Sequence, residues 1–161
     1  MSEHVATVTW QRRADEPFVD RKYSRRHSIT FDGGVVVPGS PTPASVRPPF
    51  SDPSAVDPEE ALTAALSSCH MLWFLALAAK AGFVVDAYED QAVSTMARNA
   101  AGRVAIVQAT LRPHVTYAGD AVPTPEESDA LHHAAHEECN IANSVNFPVH
   151  VEATVSVAST S

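Results

Sequence analysis

Between Ala61 and Ala79 the chain runs for nineteen residues, ALTAALSSCHMLWFLALAA, without a formal charge. A run of that length suits either the hydrocarbon of a bilayer or the centre of a protein core or subunit interface. Its own middle decides between the two. Thr63, Ser67, Ser68, Cys69 and His70 are polar or ionisable, and such groups are costly in lipid. The run is therefore read as the central helix of a globular fold, with no membrane span. Its start is written just upstream. Asp57 can cap, Pro58 suits the first turn, and Glu59 and Glu60 favour the positive end of a helix. The helix is expected to reach Ala81, where Gly82 can adopt the left-handed conformation that ends it.

Strands are expected on both sides of this helix. His4–Trp10 is short and β-rich, Ser28–Asp32 alternates polar with apolar, and Gly33-Gly34 turns the chain into Val35–Val37. Seven of the twelve prolines fall between Pro38 and Pro58, so residues 38–57 form a loop, long enough to serve as a rim or lid over a site. Beyond the helix, strands are expected around Gln91–Ala97 and Arg103–Tyr117. A second helix should start near Pro125 and reach Cys139. A closing strand, Val149–Val157, would place Val149, Val151, Ala153, Val155 and Val157 on one face. The expectation is a single α+β domain over residues 1–161.

Composition narrows the function. Apolar residues make up 45% of the chain and charged ones 19%, a globular balance. Eleven basic against nineteen acidic residues leave a charge of -8, which argues against binding nucleic acid. Seven of the eleven basic residues nonetheless lie within the first 47 positions. Two cysteines cannot build a disulfide scaffold, and no secretory leader pattern opens the chain, so a cytoplasmic location is expected. The motifs G-x-S-x-G, G-x-G-x-x-G, H-E-x-x-H and a phosphate-binding glycine loop are all missing.

Chemistry then rests on Cys69 and Cys139. Each, taken alone, reads as a small buried hydrophobe; together, flanked by histidines, they can also form a redox pair. A reactive thiol needs a lowered pKa. Cys69 lies eleven residues past Pro58, beyond the reach of the helix dipole, so an arginine from elsewhere or His70 would have to act. On a helix His70 points about 100° away from Cys69, which favours a structural role. His132, His136 and Cys139 share one helix face at i, i+4 and i+7, a spacing compatible with zinc.

The segment Asp57-Pro58-Glu59-Glu60-Ala61-Leu62-Thr63-Ala64-Ala65-Leu66-Ser67-Ser68-Cys69-His70 resembles the central helix motif of the OsmC/Ohr family of thiol peroxidases. In that motif a Pro-Glu at the helix start precedes the peroxidatic cysteine, which lies ten residues after the glutamate. Ala135–Ser144 resembles the family's second motif, where a helix ends at the resolving cysteine. The order of elements agrees over nearly the whole chain.

The resemblance implies an intertwined α+β homodimer. It also implies reduction of organic hydroperoxides through a Cys69 sulfenic acid, then a Cys69–Cys139 disulfide. A dithiol, often a lipoyl-bearing protein, would recycle the pair, and neither metal nor flavin is required. The family's thiolate-stabilising arginine, held by the motif glutamate, falls to the N-terminal region. Glu59 matches the glutamate. The chain has Tyr23-Ser24-Arg25-Arg26-His27 where the hydroperoxide-resistance branch carries a glycine-flanked arginine turn. Strand parity puts Arg25 with Ile29 and Phe31, on the apolar face, and so selects Arg25.

Ten helical residues separate Glu59 from Cys69 by about 15 Å. The helix must then kink near its start, or the arginine must span the gap. Leu72, Trp73, Phe74 and Leu75 read as core, or as lining of an apolar pocket for alkyl hydroperoxides, and Phe50 as a rim. Two alternatives remain: a non-catalytic module that binds a hydrophobic ligand or senses redox state, and a zinc domain built on His132, His136 and Cys139.

Overall fold

Glycine and proline set the limits of the first strands. The computed structural model describes residues 2–158. It divides into two compact units, with the boundary between Ala61 and Leu62. In the first unit, β1 (Ala6–Thr9), β2 (His27–Phe31) and β3 (Val36–Gly39) form an antiparallel sheet in that order. Gly34, at φ +84°, makes the turn between β2 and β3, and its N–H donates to the Phe31 carbonyl at 2.9 Å. Only a residue free of a Cβ adopts that φ without strain.

The proline-rich segment leaves β3 and is anchored at its base. A bridge joins Gly39 to Val56, and the N–H of Val56 donates to the Pro38 carbonyl at 3.0 Å. The buried Ser40 hydroxyl accepts from the Asp52 N–H at 2.8 Å. The segment thus stays irregular, as its prolines require, yet its backbone groups find partners.

α1 (Pro58–Lys80) opens with reciprocal caps: Asp57 Oδ1 accepts from the Glu60 N–H, and Glu60 Oε2 accepts from the Asp57 N–H. The helix runs unbroken to Lys80, one residue short of the expected end. It is long and apolar enough to cross a membrane by length and composition. Three polar residues of its middle, however, bond to groups of the second unit. Thr63 donates to Ser94, Ser67 donates to Asp90, and His70 meets a histidine of the second helix.

The second unit contains two three-stranded sheets. One has the order β4 (Val84–Asp90), β7 (Pro113–Ala118), β9 (Thr154–Val157); the other is β5 (Val93–Arg98), β6 (Val104–Leu111), β8 (Val149–Val151). In each, one pair is antiparallel and the other parallel. α2 (Pro125–Glu138) carries a capping box in which Thr124 and Glu127 satisfy each other's backbone N–H.

Three sequence expectations change here, for one reason. The chain passes from one sheet to the other four times, once through α2 and three times directly, at Gln91–Ala92, at Arg112 and at Glu152–Ala153. The strand expected over Arg103–Tyr117 is therefore two strands, and so is Val149–Val157; β4 was not foreseen. The corners are stitched together. Asp90 accepts from the Arg112 N–H at 2.6 Å, Arg112 Nε donates to Glu152 at 3.0 Å, and the Glu152 N–H donates to the Leu111 carbonyl at 2.9 Å. The corner before β9 also reverses strand parity. Val149, Val151 and Ala153 are half-buried, but Val155 and Val157 are exposed, and Ser156 points inward instead.

Each sheet supports its own core. Leu66 and Cys139 pack with Ala109 and Leu111 of β6. Phe74, Ala78 and Ala135 pack with Val115 and Tyr117 of β7. α1 serves both because Leu66, His70, Phe74 and Ala78 recur every four residues and form its buried stripe.

Candidate active site

Cys69 lies on α1 beside that stripe, and Cys139 is the C-cap of α2. The helices bring them together: Cys69 packs against the cluster that contains Cys139, and both thiols are free. Their surroundings differ. Cys69 is half-buried, whereas Cys139 is 0% exposed and packed among Leu66, Ala109 and Leu111. Burial, followed by the interaction with Cys69, pushes the Cys139 thiol up to about 11. The Ala142 N–H donates to Cys139 Sγ at 3.4 Å and partly offsets this.

The neighbouring position on α1 does something the sequence reading missed. His70 Nε2 meets His132 Nδ1 at 3.1 Å, with the rings coplanar to 2° and both residues buried. Phe74 stacks on His132 at 4.2 Å. Burial lowers both imidazoles to about 4; His136 pushes His70 further down and Asp90 opposes it. Both rings are therefore neutral at physiological pH, and one donates to the other. The signal lay in the four-residue spacing Leu66–His70–Phe74, which put His70 inside.

His132 thus turns to His70 and Cys139 to Cys69. Among the described residues no group of three or more His, Cys, Asp or Glu is placed to hold a metal ion. The zinc set His132, His136 and Cys139 gains no support.

The two remaining candidates lie before the boundary. Glu59 sits half-buried in the first turn of α1. Arg25 precedes β2, which starts at His27, so the strand parity that selected it does not apply. Its burial does separate it from its neighbour. Arg25 is half-buried, with its guanidinium 4.2 Å from the centre of the Tyr23 ring and donating to the carbonyls of Tyr23 and Arg21. Arg26 is exposed and pairs with Asp52 at 3.0 Å. In this conformation two carbonyls accept from the Arg25 guanidinium. Its backbone is fixed on both sides, by Phe50 O and by His27 Nδ1. Of the aromatic run after Cys69, Phe74 is core, Trp73 and Leu75 flank it, and Leu72 is exposed.

This geometry can be set beside known proteins. No match was found among curated proteins. A solved OsmC-like protein of unknown function from Vibrio cholerae is 47% identical, covers 96% of this chain and 100% of its own, and superposes with a TM-score of 0.94. An organic hydroperoxide resistance protein from Elizabethkingia anophelis shares the fold at 18% identity, with 98% of each chain covered and a TM-score of 0.67. OhrB, the organic hydroperoxide resistance protein of Bacillus subtilis, does so at 20% identity, with 94% and 98% covered and a TM-score of 0.61. The family model described as OsmC-like protein matches residues 51–154, a span containing both cysteines and the whole of α1 and α2. The chain belongs to the OsmC/Ohr family.

Proposed function

We propose that this protein is a cysteine-based peroxidase that reduces organic hydroperoxides to alcohols, working as a homodimer in the cytoplasm. One observation carries the reading: a half-buried thiol, Cys69, packed beside a fully buried one, Cys139. The family membership and the names of the two hydroperoxide resistance proteins supply the substrate class.

The asymmetry of the pair assigns the roles. Cys69 is the thiol a peroxide can reach. Its thiolate attacks the terminal peroxide oxygen; the S–O bond forms, the O–O bond breaks, and the alkoxide leaves as alcohol after taking a proton. Cys139, protonated near neutral pH because its thiol is raised to about 11, does not compete for peroxide. Once Cys69 is a sulfenic acid, Cys139 attacks its sulfur. The S–S bond forms, the S–O bond breaks, and the hydroxyl leaves as water with the Cys139 proton. A lipoyl-type dithiol then reduces the disulfide by two exchanges. On the family's pattern Arg25 is the cation that favours the Cys69 thiolate, and Glu59 orients it.

The test is turnover of cumene hydroperoxide by the reduced protein with dihydrolipoamide, with Cys69→Ser as control. The reading expects many equivalents of peroxide consumed per protein and none by the variant. A second reading, a redox-sensing module, is favoured by the Arg25 guanidinium being already occupied by two carbonyls. It expects oxidation of the pair by one equivalent of peroxide and no further consumption.

A further inference from the structure

The first unit contains an open cleft of about 430 Å³ lined by Arg21, Tyr23, Arg25, Ser45, Val46 and Phe50. That volume falls in the range of small-molecule sites. Its two walls are tied together, since the Arg25 N–H donates to the Phe50 carbonyl at 3.0 Å. Ser45 and Val46 are held in a turn by N–H bonds to the Thr42 carbonyl, both at 3.0 Å. One side is aromatic and aliphatic (Tyr23, Val46, Phe50), the other cationic, and no carboxylate lines it.

The two arginines are not equivalent. Arg25 spends its guanidinium on the Tyr23 and Arg21 carbonyls and on the Tyr23 ring. Around it, Arg12 donates to carbonyls, Arg13 pairs with Asp15, Lys22 with Asp20, and Arg26 with Asp52. Arg21, like Arg47, has a guanidinium with neither a hydrogen bond nor an ion pair among the described residues, and of these two it is Arg21 that lines the cleft. Its backbone is also unusual. Arg21 is the one non-glycine residue among those described with a positive φ, +65°. That conformation has a cost for a side-chain-bearing residue, and such outliers gather at ligand sites. Here the turn closed by the Arg21 N–H on the Phe18 carbonyl fixes it.

We propose that this cleft binds the carboxylate of an apolar carboxylic acid, with Arg21 and the Ser45 hydroxyl on the carboxylate and Phe50, Val46 and Tyr23 on the hydrocarbon. One open guanidinium fork matches two coplanar carboxylate oxygens. Arg25 already gives two of its five guanidinium N–H groups to carbonyls, which leaves the Arg21 fork as the fully open donor of the cleft. The inference goes beyond the peroxidase reading and does not depend on it, because binding can be read in a protein that cannot turn over.

The experiment is calorimetric titration of the Cys69→Ser protein with octanoate, with 3-phenylpropanoate, with the methyl ester of each, and with inorganic phosphate. The expected result is saturable binding of at least one acid, weakened by about tenfold to a hundredfold in its ester and in Arg21→Gln. Arg21→Gly keeps the left-handed backbone while removing the guanidinium, and should lose binding equally. The two acids distinguish an alkyl from an aryl ligand. Equal binding of acid and ester, unchanged binding in both Arg21 variants, preferential binding of phosphate, or no binding of either acid would each overturn the proposal. Loss of peroxide turnover in the wild type would leave it intact.

Discussion

Adjacent positions on α1 reach across to α2 and form two polar pairs of opposite character. Cys69 meets Cys139, and His70 meets His132. In the thiol pair one member is half-buried and the other fully enclosed, so the partners are unequal and can react in sequence. In the imidazole pair both members are enclosed, both are lowered to about 4, and one nitrogen of each meets the other as neutral donor and acceptor. The comparison teaches that burial by itself does not mark a reactive site. On the proposed mechanism the difference in burial within the thiol pair does, because it separates the group that meets solvent from the group that waits.

The hardest test of this contrast is removal of the exposed thiol. Cys69→Ser should bring peroxide consumption down to the uncatalysed rate while leaving thermal stability nearly unchanged; activity surviving in this variant would erase the assigned asymmetry. Cys139→Ser comes next. It should allow Cys69 to react once and then stop, with the sulfenic acid passing to sulfinic acid under excess peroxide, seen as a mass gain on Cys69.

The imidazole pair should be read out in stability against pH. Both folded-state values lie below the ordinary 6.5, so the native state favours neutral rings. Above pH 6.5 that costs nothing. As pH falls from 6.5 towards 4 the unfolded chain takes up protons that the folded one refuses, and stability drops. One imidazole moved from 6.5 to about 4 corresponds to about 3 kcal/mol at the acid end of the window. Denaturant unfolding at pH 7 and pH 4.5 checks this, and the His70→Leu/His132→Leu double variant should flatten the difference. His132→Leu alone leaves His70 Nε2 without its partner and should cost about 1–3 kcal/mol at pH 7. The smallest effect is expected for Ser67→Ala. It removes the hydrogen bond to Asp90, about 1 kcal/mol, without changing the rate of Cys69 oxidation.

Much of this was legible in the chain. The cap at Asp57, the prolines that open both helices, the uncharged run and the turn at Gly33-Gly34 act over a few residues, so the helices and the first hairpin followed from local physics. The corners of the second unit did not. Residues 103–117 alternate in a way that reads as one strand; Pro113 was the local mark of a break, but it does not say that the chain changes sheets at Arg112. That choice is enforced by Asp90 and Glu152, which lie 22 and 40 residues away in sequence. The site divides likewise. Cys69 and Cys139 were legible from spacing and family resemblance, whereas the His70–His132 bond, 62 residues apart in sequence, was not.

By itself, then, the sequence determined that a long apolar helix would carry Cys69 at its centre and that a second helix would end at Cys139. Periodicity, caps and composition act on short stretches and need no fold to be read. Only the tertiary structure decided that Cys139 would be the enclosed member, that His70 would find His132, and that Arg25 would rest on carbonyls while Arg21 faced the cleft unpaired. Burial and pairing arise from segments distant in sequence, and those quantities set which group is charged, which is reachable and which can react.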